Sequence, residues 1–373
     1  MTRGLGHPER GSSAAQYVGI VALAAVIAGG VVAAGSTGFA QDAFSSAACS
    51  VLGGEHCERA KPASAQKKSQ KKQKTPLEQA TWGSAYFAGD SFASGEGAGD
   101  YDPDTDIQDS WWNPLDNGNP TNKCHRSRNS YQAQAFRNLQ GRGHFQGQSF
   151  VTYACSGAKT QDLHENNHAG NHGEGPQGRT KPTGPGDPSR YDNIPEDASL
   201  ISLSMGGNDI GFAEVLKNCF SGWMGSGCGD TGLINKRIGE FYGTGNGTMG
   251  KLEQEIATIK AQHPDARIVI MGYPPLFSES KAEAIGISVE EQRWANQQAA
   301  SINAAISKMA ERQGVEFLDP TSAFVGDGYD HRIGSKDPWI NGVGLGQEAC
   351  HPNKKGHDAM TGLLLQHIEE GPK

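Results

Sequence analysis

The 373-residue sequence predicts an α/β domain in which a parallel β-sheet is covered by helices on both faces. Two observations carry that prediction. Short apolar runs alternate along the chain with longer segments whose apolar residues recur at helical spacing, and each run ends in glycine, proline or polar residues. Strands separated by helices have connections long enough to pair in parallel, and a parallel sheet buries both of its faces.

The strands are expected at Ser84–Ala88, Ser149–Ala154, Leu200–Ser204, Arg267–Met271 and Val315–Leu318. Met249–Ala261 and Ser288–Gln313 read as helices. In the second, Ser288 and Glu291 stand at capping-box spacing, and apolar residues at 295, 299, 302, 306 and 309 keep one face buried. Lys354–Glu369 reads as a last helix. In a sheet of this kind ligands bind beyond the carboxyl ends of the strands, so the residues that follow each strand are where chemistry is sought.

Upstream of that domain the composition changes twice. No charged residue occurs from Gly11 to Gln41, and Tyr17–Ala34 is an apolar stretch preceded by Arg3 and Arg10. It is long enough for an uncleaved anchor that contacts the membrane. The small residues Gly38 and Ala40 equally suit cleavage of a signal segment after residue 40. Positive charge on its N-terminal side keeps that end inside and places the rest outside the cytoplasm, secreted or on the outer face of the membrane. Residues 41–80 form a stalk containing Cys49 and Cys57, then a linker in which Lys61 to Lys74 holds six lysines and no acid, a self-repelling spacer. The folded domain is expected over 81–373, working as a monomer.

A formal net charge of -8 leaves no basic face for phosphates, which sets nucleic acid aside as a partner. Seven cysteines beside an export segment point to an oxidising compartment. Cys49 and Cys57 are close in sequence, as are Cys219 and Cys228, while Cys124 and Cys155 flank one long connection. Cys350 has no obvious partner, and spacing alone fixes no pairing.

The run Gly89-Asp90-Ser91, followed by Ser94-Gly-Glu-Gly97, releases a serine from the end of a buried strand onto a glycine-rich turn. A serine hydroxyl is a weak nucleophile that needs a base within hydrogen-bond reach and donors for the oxyanion it creates. The run lacks the spacing of a phosphate-binding loop. The next strands end in Cys155-Ser-Gly157-Ala158 and Gly206-Gly-Asn208-Asp209, offering the Gly157 N–H and the Asn208 amide to that oxyanion. Glu348-Ala-Cys-His351-Pro-Asn-Lys-Lys-Gly-His357 places a histidine just before the last helix. His164, His168 and His172 recur at four-residue spacing, but Gly170 and Gly173 undermine the helix that zinc ligation would need, so no metal is expected. Trp111, Trp112 and the loop from Asp100 to Asn122 could line an acyl or sugar pocket.

These four blocks, in this order and on these elements, resemble the SGNH (GDSL-like) hydrolases, and most closely the secreted actinobacterial lipases and esterases. The resemblance spans roughly residues 84 to 370. It implies a flavodoxin-like three-layer α/β/α domain with five parallel strands, hydrolysing carboxylic esters through an acyl-enzyme without metal or organic cofactor. Ser91 would be the nucleophile, His351 the general base, and Ser91 N–H, Gly157 N–H and Asn208 the oxyanion hole. The family's acid stands three residues before the histidine, here Glu348. Some close relatives orient the imidazole with a backbone carbonyl instead. His357 is expected to cap or pack. The resemblance also implies bridges Cys124–Cys155 and Cys219–Cys228. The substrate is expected to be a lipid or small-molecule ester. A carbohydrate O-deacetylase of the same fold, or an envelope-anchored binding protein without turnover, are the alternatives.

Overall fold

The computed structural model describes residues 74–106, 124–148, 150–163, 194–211, 239, 247–279, 287–344 and 346–372. The segment Tyr17–Ala34, the pairs Cys49/Cys57 and Cys219/Cys228, Trp111, Trp112 and the three spaced histidines lie outside these residues. Among the described residues no helix is long and apolar enough to cross a membrane, and no group of three or more His, Cys, Asp or Glu is placed to hold a metal ion.

The compact unit runs from Gln73 to Lys373. It opens with helix α1, Pro76–Ala80, in a stretch the sequence assigns to the linker. Thr75 and Glu78 close a capping box around its first turn, and proline stands at its start, where a missing N–H costs nothing. Ala80 is fully buried, so the fold begins ahead of Thr81.

Strand β1, Ser84–Gly89, is buried along its whole length and leads directly into the four-residue helix α2, Ser91–Ser94. Helix α3, Tyr131–Gly141, begins at Ser130, whose side chain accepts from the Ala133 N–H. There follow β2, Phe150–Thr152; β3, Ala198–Ser204; α4, Thr248–Gln262; β4, Arg267–Met271; α5, Val289–Gln313; and β5, Glu316–Leu318. The expected Ser288–Glu291 capping box is present at the start of α5. A short helix α6, Thr321–Phe324, and a hairpin of β6, Val325–Gly326, and β7, Tyr329–Asp330, precede the last helix α7, Lys354–Glu370.

The five strands pair in parallel in the order β2-β1-β3-β4-β5. Alternate side chains supply two cores, one on each face. Tyr86, Ile201, Leu203, Ile268 and Ile270 pack with α4 and α5 through Ile256, Ile302 and Ile306. Phe87, Leu200, Val269 and Met271 pack with α3 and α7 through Phe136, Leu139, Met360 and Leu364. The result is the expected three-layer flavodoxin-like arrangement. Its strand order reverses between β1 and β3, and a cleft opens outside the carboxyl ends of strands at such a point.

Candidate active site

Gly89 ends β1 at φ +133°, and a Cβ there would lie 2.3 Å from the Ser204 carbonyl and 2.7 Å from the Ala93 side chain. Only glycine lets the chain turn this tightly between the sheet and α2. Asp90 then caps α2, its carboxylate accepting from the Phe92 N–H at 3.0 Å, and Ser91 becomes the first residue of the helix. The Ser91 N–H thus points out of a helix start with no partner inside that helix.

His351, just ahead of α7, faces Ser91. Its Nε2 is 2.7 Å from Ser91 Oγ, and its Nδ1 is 2.9 Å from the Ala349 carbonyl oxygen. A carbonyl can only accept, so Nδ1 carries the proton and Nε2 presents its lone pair to the serine hydroxyl. Phe92 packs against the imidazole with ring centroids 5.1 Å apart. Burial lowers the pKa of His351 below the ordinary histidine value, against the opposing charge of Glu96 and the bond to Ala349. The ring is therefore neutral over the neutral range, the form in which a histidine can accept a proton.

Glu348 departs from its expected role. Its carboxylate accepts from the Tyr101 hydroxyl at 2.6 Å, while His351 Nδ1 is satisfied by the Ala349 carbonyl. Three-residue spacing puts an acid near the histidine, but here the tight turn in which the His351 N–H donates to the Glu348 carbonyl brings a nearer backbone acceptor under the ring.

Asn208 follows β3, and its Nδ2 donates to the Ala158 carbonyl at 3.0 Å, which leaves its second amide proton for another acceptor. Gly157 takes φ +84°, and a Cβ there would meet open space. Its turn is tied to β1 by the Cys155 N–H, which donates to the Gly89 carbonyl at 3.0 Å. The Cys124–Cys155 disulfide forms, as the resemblance implies. Cys350 is a buried free thiol whose pKa desolvation pushes up to about 12, so it stays protonated and inert. His357 is fully buried and stacked on Tyr131.

Several site residues had no place in the sequence reading. Tyr273, just beyond β4, donates to Asp90 at 2.6 Å and accepts from the Gly207 N–H at 2.8 Å, tying the Ser91 turn to the Asn208 turn. Burial raises the Asp90 pKa to about 7 against the bonds from Tyr273 and Phe92. Glu96 is fully buried and holds His125, Ser156 and Gln347. Burial disfavours charge on His125, but the hydrogen bond and charge of Glu96 outweigh it and raise its pKa. The available signals were a tyrosine at a strand's carboxyl end and a lone acid inside a glycine run.

The sequence profile of the GDSL-like Lipase/Acylhydrolase family matches residues 87–359. A lipase of Streptomyces rimosus is 29% identical over 270 residues, covering 72% of this chain and 80% of that protein. An esterase of Streptomyces scabiei is 26% identical over 292 residues, covering 66% of this chain and 78% of that protein. Among solved structures, an extracellular lipase from Streptomyces rimosus shares 27% identity at a TM-score of 0.54, covering 77% of this chain and 99% of that one. A phospholipase A1 from Streptomyces albidoflavus shares 26% identity at the same TM-score of 0.54, with the same coverage of 77% and 99%. With its fold, its ordered blocks and a family match across most of its length, the chain belongs to the GDSL-like lipase/acylhydrolase family, the SGNH hydrolases of carboxylic esters.

Proposed function

We propose that the chain is an exported serine esterase or lipase that works through an acyl-enzyme with a Ser91–His351 dyad, the Ala349 carbonyl standing where many triads have an acid. The observation that carries this reading is the 2.7 Å contact between Ser91 Oγ and His351 Nε2, with Nδ1 held 2.9 Å from a carbonyl. Ser91 Oγ attacks the ester carbonyl as Nε2 takes its proton, giving a tetrahedral oxyanion and an imidazolium. Ser91 N–H, Gly157 N–H and the Asn208 amide receive the oxyanion, because all three are donors on turns that follow neighbouring strands. The imidazolium returns the proton to the departing alkoxide. Water then repeats the two steps on the acyl-serine, releasing the acid and restoring the dyad. No residue in this cycle needs a cofactor.

Export is supported by the apolar Tyr17–Ala34 segment, as signal or anchor, by the disulfide, and by the likeness to a lipase described as extracellular. An ester of a lipid or another acyl alcohol is the substrate that the likeness to lipases and a phospholipase favours. The test is hydrolysis of p-nitrophenyl acetate, butyrate and palmitate by the wild-type chain and by Ser91→Ala. Turnover by the wild type and a loss of at least about 10³-fold in the variant are expected, on the scale of triad deletions. Butyrate or palmitate outpacing acetate identifies an esterase or lipase, and acetate alone a deacetylase. Equal inactivity of both proteins on all three esters overturns the reading.

A further inference from the structure

We propose that Glu96 is a positioning residue: its buried carboxylate is the hub that holds the oxyanion turn and the histidine loop in register around Ser91. This inference rests on the esterase reading above and concerns how that same site is assembled.

An acid with no exposure to solvent needs a reason, since burying a carboxylate without partners is strongly unfavourable. Glu96 is fully satisfied, and its donors come from three separate stretches of chain. His125 Nδ1 stands 2.9 and 3.0 Å from its two oxygens, Ser156 Oγ donates to Oε2, and Gln347 Nε2 donates to the same oxygen at 2.9 Å. Ser156 immediately precedes Gly157. Gln347 begins the turn whose Ala349 carbonyl fixes the His351 tautomer. His125 follows Cys124, the disulfide partner of Cys155 in the oxyanion turn.

Glu96 is also bound to the nucleophile's own segment, because its N–H donates to the Ser91 carbonyl at 3.0 Å. The next residue strengthens the connection. A Cβ on Gly97 would lie 3.1 Å from the His351 side chain, and the Gly97 carbonyl accepts from Asn341 Nδ2 at 3.0 Å, while the Asn341 N–H donates to the His351 carbonyl at 2.8 Å. Glu96 therefore reaches the block of Ser91 through its N–H, and the blocks of Gly157 and His351 through its carboxylate, each by a single hydrogen bond.

The titratable groups around it are His125 itself, Asp106 at 3.2 Å from the far nitrogen of His125, Glu348, which reaches the cluster through Tyr101, and the imidazoles of His351 and His357, on both of which its charge acts. Tyr101 stacks on His125 with centroids 4.6 Å apart and accepts from the Gly97 N–H at 2.9 Å. An ionised carboxylate only accepts, which suits three converging donors. Glutamine has almost the same shape but would turn an amide N–H₂ toward one of them.

That difference supplies the test. Kinetics of p-nitrophenyl butyrate hydrolysis are measured on the full chain for the wild type, Glu96→Gln, Ser156→Ala, Gln347→Ala and Ser91→Ala, with reactive serine counted by fluorophosphonate titration. Glu96→Gln is expected to lower kcat per titrated serine by at least about 30-fold with KM within about threefold, the signature of a misaligned rather than an unoccupied site. Ser156→Ala and Gln347→Ala, each removing one neutral donor, are expected to lower kcat several-fold with KM unchanged. A Glu96→Gln enzyme with wild-type kcat per titrated serine overturns the proposal. If that variant does not melt cooperatively, the two single-donor variants decide, and wild-type kcat in both overturns it. A wild type without turnover, or a Ser91→Ala variant that retains it, instead removes the esterase reading.

Discussion

The imidazole of His351 donates from Nδ1 to the Ala349 carbonyl, while the Glu348 carboxylate is engaged by Tyr101. A backbone acceptor fixes the tautomer as an acid would, but it adds less charge to stabilise the imidazolium. Replacing Glu348 by Gln preserves an acceptor for Tyr101 and should leave kcat/KM within about threefold of wild type, whereas losing a true triad acid costs about 10⁴-fold. Steady-state kinetics of that variant separate the two roles, and a loss of about 10³-fold would restore Glu348 to the triad. The pH profile follows from the same residue. Its base form is the unprotonated one, and burial lowers its pKa below 6.5, so activity is gained as pH rises through a value below 6.5. The ascending limb of kcat/KM for the free enzyme should have its midpoint there, and a midpoint above 7 would mean a more hydrated or more strongly anion-paired ring. At this scale the pairing of Ser91 with His351 was legible, because a strand end and a helix start each leave a mark in local sequence, and the oxyanion roles of Gly157 and Asn208 remain part of the proposal. The partner of His351 was not legible. Spacing places Glu348 within reach but cannot show that Tyr101, 247 residues away in sequence, claims it first.

Each of the five strands was readable as an apolar run, because both faces of a parallel sheet are buried and little polar residue interrupts it. Helix α5 was equally plain, with its capping box and its apolar stripe. Helix α3 escaped notice although Tyr131, Ala135, Phe136 and Leu139 form its buried face, because Gln132, Gln134, Arg137 and Asn138 dilute the pattern and it is only 11 residues long. Helix α1 was masked by its neighbours. The lysines before it signal a solvated spacer, yet Thr75 and Glu78 already carry the capping-box spacing. Its attachment is specific. Ala80 is fully buried, and Arg267, itself mostly buried against Glu316, donates from Nη1 to the Pro76 carbonyl at 3.0 Å and to the Ile368 carbonyl at 2.7 Å. A chain trimmed to begin at residue 81 should therefore melt several degrees below one beginning at residue 73, since losing about 1–2 kcal/mol of burial and hydrogen bonding lowers the midpoint of a domain this size by roughly 2–4 °C per kcal/mol. Equal midpoints in a thermal melt would return α1 to the linker.

Across the whole molecule, the layers that place the site also bury titratable groups, and these couple folding to pH in opposite directions. Desolvation raises Asp90 to about 7, so the folded state holds a proton the unfolded chain releases, and this residue's contribution declines as pH rises from about 4 to 7. His357 acts the other way. It sits on α7, fully buried and stacked on Tyr131 of α3, and burial holds its ring neutral down to about 4, against 6.5 unfolded. Below pH 6.5 the unfolded chain binds a proton there that the folded one refuses. The stability supplied by the neutral ring is complete above 6.5 and is lost as pH falls toward about 4, a change of about 3 kcal/mol at 1.36 kcal/mol per unit. Other carboxylates titrate in the same window, so the wild-type profile alone does not isolate it, but its difference from a His357→Phe variant does. Phenylalanine keeps the stack on Tyr131 and removes the proton site. In urea unfolding followed at pH 7, 5.5 and 4, the wild type should lose stability relative to that variant steadily across the series. A difference that stays constant from pH 7 to pH 4 would mean that His357 titrates alike in both states, and that the layer between α3 and α7 admits water to the ring.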